Sequence, residues 1–165
     1  MIFGRVWKFG DDINTDLMLP GPLLTATEAE QARAVFAANR PGWVDQILPG
    51  DIIVGGRNFG TGSSRPAARS LRNVGLACLV AESINGLFFR NAISFGFLAL
   101  ECRGVHAAFE EGHTAEVSLA DFIVRNRDTG AVLKARAIPP MLLDLMQGGG
   151  LYPHLEREGL IAPRG

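Results

Sequence analysis

Ile52-Ile53-Val54-Gly55-Gly56-Arg57-Asn58-Phe59-Gly60-Thr61-Gly62-Ser63-Ser64-Arg65-Pro66 is the run from which the fold can be read. Three unbroken apolar residues after the turn Leu48-Pro49-Gly50-Asp51 predict a strand buried on both faces, because such a strand keeps no polar side. The glycines from Gly55 to Gly62 break it into a loop. Pro66 suits the first turn of a helix, where its missing N–H removes only an orphan donor. Ala67, Ala68, Leu71 and Val74 then line one face, which predicts a helix over 66–73 closed by Gly75.

Working outward, residues 76–81 read as a second strand. Ser83 is expected to cap a second helix carrying Ile84, Leu87, Phe88 and Ala92 and ended by Gly96, and 97–100 form a third strand. Strand, helix, strand, helix, strand argues for parallel pairing with right-handed crossovers. Upstream, residues 5–9 alternate as a strand closed by Gly10-Asp11-Asp12, and 13–22 are irregular. Thr27 with Glu30 is a capping box for a helix running to about Ala38, stopped by Arg40-Pro41-Gly42. Downstream, 115–119 and 122–125 read as strands, and Arg127-Asp128-Thr129-Gly130 as a hairpin turn into a strand over 131–138. Pro139-Pro140 ends it, and a short helix at 141–146 leads to Gly148-Gly149-Gly150 and a polar tail. The expected fold is one α/β domain over 1–165, a parallel βαβαβ portion with an added antiparallel hairpin.

A chain of 165 residues fits one domain. A net charge of −1 and a pI near 6.3 argue against a nucleic-acid or membrane-surface binder. Two cysteines exclude a disulfide framework, and also an iron–sulfur cluster held by this chain alone. The apolar runs are too short for a membrane span, and Met-Ile-Phe-Gly-Arg is not a signal-peptide start, so a cytoplasmic protein is expected.

Charge along the chain is uneven. Between Asp51 and Glu82 there is no acidic residue, while Arg57, Arg65, Arg69 and Arg72 all fall there. A glycine loop running into a helix start offers close backbone approach, free N–H groups and a partial positive charge, and Ser63 and Ser64 add hydroxyls. These are the parts of a small-anion site. The blander reading makes Arg69 and Arg72 solvated surface and Ser64 a helix cap, whereas Arg65 sits where it could fork onto a carboxylate. A Walker loop is absent, since no lysine lies nearby. Gly60-Thr61-Gly62 with Glu82 only weakly matches a dinucleotide fingerprint, because Arg65 replaces the third glycine. Ser63 is not in a Gly-x-Ser-x-Gly elbow, which speaks against an independent hydrolase. His106, His113 and His154 read as surface residues, and Cys78 and Cys102 as buried small hydrophobes.

Residues 49–54 followed by Asn58-Phe59-Gly60-Thr61-Gly62-Ser63-Ser64-Arg65 closely resemble the signature of the small subunit of 3-isopropylmalate dehydratase, the separate-chain form of aconitase's swivelling C-terminal domain. The likeness extends to residues 4–11, to Asn14-Thr15-Asp16 with Pro20, and to 87–92. It implies a three-layer β/β/α swivelling domain and a place in leucine biosynthesis. It also implies a cluster-bearing large subunit as partner, in a heterodimer or heterotetramer, that carries the [4Fe–4S] centre. The same resemblance implies Ser63 as catalytic base, Arg65 as ligand of a substrate carboxylate, Ser64 as a hydrogen-bond donor and Asp16 as a residue lining the site. The region that reads the substrate's variable group in relatives falls on Gly21-Pro22-Leu23-Leu24-Thr25. It holds no arginine, so Leu23, Leu24 and Thr25 suggest an alkyl-substituted malate. One departure is plain: the family usually continues Ser-Ser-Arg-Glu-His-Ala, and here Pro66-Ala67-Ala68 follows. That bears on substrate identity more than on reaction class. The alternative reading is a non-catalytic anion- or nucleotide-binding module built on the same loop.

Overall fold

A computed structural model describes residues 1–62 and 66–162. The parallel portion consists of β1 (Ile2–Lys8), β2 (Ile52–Gly55), β3 (Cys78–Ala81) and β4 (Ala99–Glu101), with α4 (Ala67–Asn73) and α5 (Gly86–Phe95) as the crossovers after β2 and β3. Between β1 and β2 come α1 (Thr15–Met18), a 3-10 turn at Gly21–Leu23, α2 (Glu28–Arg33) and α3 (Trp43–Gln46). After β4 follow α6 (Val105–Ala108), β5 (Thr114–Ser118), β6 (Ile123–Asn126), β7 (Val132–Lys134), α7 (Pro140–Gln147) and α8 (Leu151–Arg157).

The strand order is β4-β3-β2-β1-β5-β6-β7, parallel from β4 to β1 and antiparallel from β1 to β7. β1 serves both halves. Val6, Trp7 and Lys8 pair in parallel with Ile52, Ile53 and Val54, while Ile2 to Arg5 pair antiparallel with β5. Ile52, Ile53, Val54, Leu79, Val80, Ala99 and Leu100 are wholly buried, as the unbroken apolar runs predicted. Among the described residues no helix is long and apolar enough to cross a membrane.

Several boundaries move, each for a visible reason. The capping box forms with both of its bonds, yet α2 stops at Arg33 rather than near Ala38. Phe36 takes a φ of +56°, gives its N–H to the Leu17 carbonyl, and buries its ring against Phe9 and Trp43. Packing of that ring outweighs continued helix. Asn85, not Ser83, caps α5 by accepting from Leu87 N–H; Ser83 Oγ accepts from Asn58 N–H instead, at 2.8 Å. The last strand is Val132–Lys134, shorter than 131–138, and the tail forms α8. Gly96 ends α5 with φ +73°, closely packed on the backbone of Gly149 and Gly150.

At the other end of β2 lies Asp51, 3% exposed. Its Oδ2 accepts from the Arg5 guanidinium at 2.8 Å, Trp7 Nε1 at 2.8 Å and Leu48 N–H at 2.9 Å. Removing the carboxylate strands two sheltered donors, although Arg5 is exposed enough to rehydrate. Asp51→Ala is therefore expected to lower the unfolding free energy by about 2–4 kcal/mol, read as a fall in the urea midpoint at unchanged m.

Candidate active site

The carboxyl ends of β1, β2 and β3 open on one edge of the sheet, where ligands of parallel α/β sheets gather. There the glycine loop after β2 is clamped between its neighbours. On the β1 side, Gly56 N–H donates to Gly10 O at 3.0 Å, Arg57 N–H to Asp11 Oδ1 at 2.7 Å and Gly60 N–H to Ile13 O at 2.7 Å. Asn58 Nδ2 reaches Asp12 Oδ1 at 3.1 Å. On the β3 side, Phe59 N–H donates to Ser83 O at 3.0 Å and Asn85 N–H to Phe59 O at 2.8 Å. Phe59 is fully buried, edge-on to Phe88 at 5.7 Å. The loop is thus held almost residue by residue up to Thr61.

Asn58, Gly60 and Gly62 all lie in the left-handed region, with φ of +54°, +87° and +103°. These bends steer the chain toward α1. Thr15 N–H donates to Thr61 O at 2.6 Å, and Asn14 bridges Thr61. Asn14 also caps α1 by accepting from Asp16 N–H. Asp16 is exposed and next in sequence to the residue bonded to Thr61, so the structure brings it beside the end of the glycine loop. Ser63, Ser64 and Arg65 lie outside the described residues. Beyond them, Pro66 stands at the N-cap of α4, and Ala67 and Ala68 are completely buried. Ala67, where the resemblance would place a histidine, therefore lies in the core.

Leu23 ends the 3-10 turn half-buried, packed against the core, while Leu24 is 48% exposed and Thr25 is exposed. The expected string of uncompensated arginines is broken at Arg69. Arg69 pairs with Glu28 of α2 at 3.2 Å and bonds Gln31 at 3.0 Å, and Arg72 donates to Phe95 O and to Asn73 Oδ1. Neither is merely solvated surface, as sequence reasoning had it. Asp11 and Asp12 also bring carboxylates to the loop. Sequence reasoning treated them only as turn residues; parallel pairing of β1 with β2 was the signal that places them there. Ser83 and Gln31 carried no such signal.

The histidines are half-buried rather than surface residues. His113 Nδ1 accepts from Glu110 N–H at 3.0 Å and faces Asn126 Nδ2 at 2.9 Å, which is a structural arrangement. Cys78 and Cys102 are buried, and burial pushes their thiols up to about 12 and about 11; for Cys102 the nearby Glu82 adds to the rise. Among the described residues no group of three or more His, Cys, Asp or Glu is arranged to hold a metal. Two buried thiols are too few to hold an iron–sulfur cluster. A separate cleft of about 440 Å³ between the start of α5 and residues 136–139 is walled by Ile84, Phe89, Leu142, Glu101 and Arg136, and among the described residues none of the predicted site residues lines it.

Comparison with known proteins follows this geometry. The family model described as the aconitase C-terminal domain matches residues 24–104. The chain is 41% identical over 160 residues to the isopropylmalate/citramalate isomerase small subunit of Methanocaldococcus jannaschii, covering 96% of this chain and 95% of that one. It is 43% identical over 161 residues to the 3-isopropylmalate dehydratase small subunit 1 of Methanopyrus kandleri, again covering 96% and 95%. A crystal structure of 3-isopropylmalate dehydratase from Methanocaldococcus jannaschii superposes with a TM-score of 0.89 at 30% identity, over 96% of this chain and 95% of that one.

Proposed function

The chain belongs to the family of 3-isopropylmalate dehydratase small subunits, and from that premise we propose that it supplies the proton-transferring and carboxylate-binding half of a site completed by its large subunit. As a family member it is a component of a hydro-lyase, not a free-standing anion-binding module. The iron–sulfur cluster that the aconitase family implies is assigned to the large subunit, since this chain's two buried thiols are too few to hold one. The steps assigned to this chain are proton transfer and substrate binding, in a heterodimer or heterotetramer.

Ser63 is the base. It takes the proton from the substrate carbon as the C–H electron pair becomes the double bond and the hydroxyl on the adjacent carbon leaves with its C–O pair, a departure that the large subunit's cluster would assist as a Lewis acid; in the reverse direction it returns the proton as the hydroxyl adds back. A serine hydroxyl is a poor base unless its alkoxide is stabilised, and Arg65 supplies the charge while backbone N–H groups supply dipoles. Arg65 also forks onto a substrate carboxylate, with Ser64 as a further donor and Asp16 lining the site. The observation that supports this reading is the clamped glycine loop, which delivers the chain at residue 62 against α1 and next to Asp16. Leu23, Leu24 and Thr25 offer no cation for a third carboxylate. The substrate is accordingly a malate with an alkyl substituent, isopropylmalate or citramalate.

Arg65→Lys tests the carboxylate assignment. An ammonium cannot reproduce two parallel N–H bonds, so kcat/KM of the reconstituted pair is expected to fall about 10–100-fold with KM raised. Unchanged KM and kcat would remove Arg65 from the site.

A further inference from the structure

Gln31 is a polar side chain placed where solvent cannot satisfy it, with 1% of its surface exposed. Its Nε2 donates to Leu23 O at 2.9 Å and to Leu24 O at 3.3 Å, and its Oε1 accepts from the Arg69 guanidinium at 3.0 Å. The amide has one sensible orientation here: carbonyls only accept and a guanidinium only donates. Both ends of the side chain are therefore committed, one to the turn at 21–25 and the other to α4.

Arg69 is itself gripped from several sides. Glu28, one turn before Gln31 on the same face of α2, pairs with it at 3.2 Å, and the Phe95 ring lies 5.5 Å from its guanidinium carbon. Among the described residues, the turn's other bonds run from Leu23 N–H to Pro20 O, Leu24 N–H to Gly21 O and Ala26 N–H to Leu23 O. They shape the turn without fixing it to another element. α4, in contrast, begins at Ala67, one residue beyond those assigned to chemistry in the sequence.

We propose that Gln31 is a positioning residue for substrate selection, latching the 21–25 turn to α4 through Arg69. This rests on the functional reading above, in which that turn meets the alkyl group. A latched turn holds Leu24 and Thr25 at a fixed reach, which a branched substituent feels and a methyl group does not.

The test uses the reconstituted two-subunit enzyme with isopropylmalate and citramalate. Gln31→Met keeps length and loses every hydrogen bond; Gln31→Glu keeps the contact to Arg69 and loses both donors to the turn. In each, the ratio of kcat/KM values is expected to shift toward citramalate by about tenfold, a usual size for discrimination between alkyl groups, with kcat on citramalate within about twofold of the parent. A structural role alone would lower both substrates by one factor or only lower the melting temperature. Either that pattern or an unchanged ratio in a folded variant overturns the latch. Should Gln31→Met fail to fold, Gln31→Glu carries the comparison, because Arg69 stays paired. A parent enzyme that turns over neither malate would overturn the functional reading itself, and the latch with it.

Discussion

Replacing Gly60 with alanine is expected to destabilise the chain by about 2–5 kcal/mol and to take the activity of the assembled enzyme down with it. Two costs add. The residue sits at φ +87°, where a side chain costs about 1–2 kcal/mol. A methyl group there would overlap Cβ and Cγ of Phe88, which is 2% exposed and packed edge-on to Phe59. Relieving such overpacking costs about 1–3 kcal/mol more. The loop cannot simply shift away, since Gly60 N–H is bonded to Ile13 O and Phe59 is bonded on both sides to the β3 loop. Urea denaturation reads the loss, and Gly10→Ala is the control. At Gly10 a methyl group would have nothing within 4 Å and the φ is not positive, so its change should stay within about 0.5 kcal/mol. Equal stability of the two variants would mean that the loop is not clamped as described.

The parallel half of the fold was legible because its signals are local. The apolar run at 52–54, the proline at a helix start, and the capping box of Thr27 and Glu30 each act within a few residues. Where sequence reasoning failed, a distant partner decided. Phe36 left its helix for an aromatic cluster, and Ser83 Oγ accepts from Asn58 N–H rather than capping α5. The site shows the same division. The resemblance over 58–65 pointed to the residues assigned to chemistry, but not to what holds them. A stretch with four arginines and no acid looked strongly cationic, yet Glu28 arrives from α2 and Asp11 and Asp12 from the end of β1. Charge counted along a chain omits whatever the fold carries in from elsewhere.

Ser63→Ala is expected to lower turnover by about 10²–10⁴, the usual share of a positioned general base. In barrier terms that is about 3–5 kcal/mol. Removing one hydroxyl leaves Arg65, Asp16 and the turn at 21–25 in place, so binding should survive and kcat should carry the loss. Assembly should also be unaffected, because the clamped residues Gly56 to Thr61 and the capped start of α1 do not depend on that side chain.

The most direct measurement pairs two readouts on one sample: complex formation with the large subunit by sedimentation, and dehydration of isopropylmalate or citramalate by that same complex. The account predicts full assembly of the Ser63→Ala chain with kcat lowered at least about a hundredfold. A fully assembled complex that dehydrates its substrate at the parent rate would contradict it.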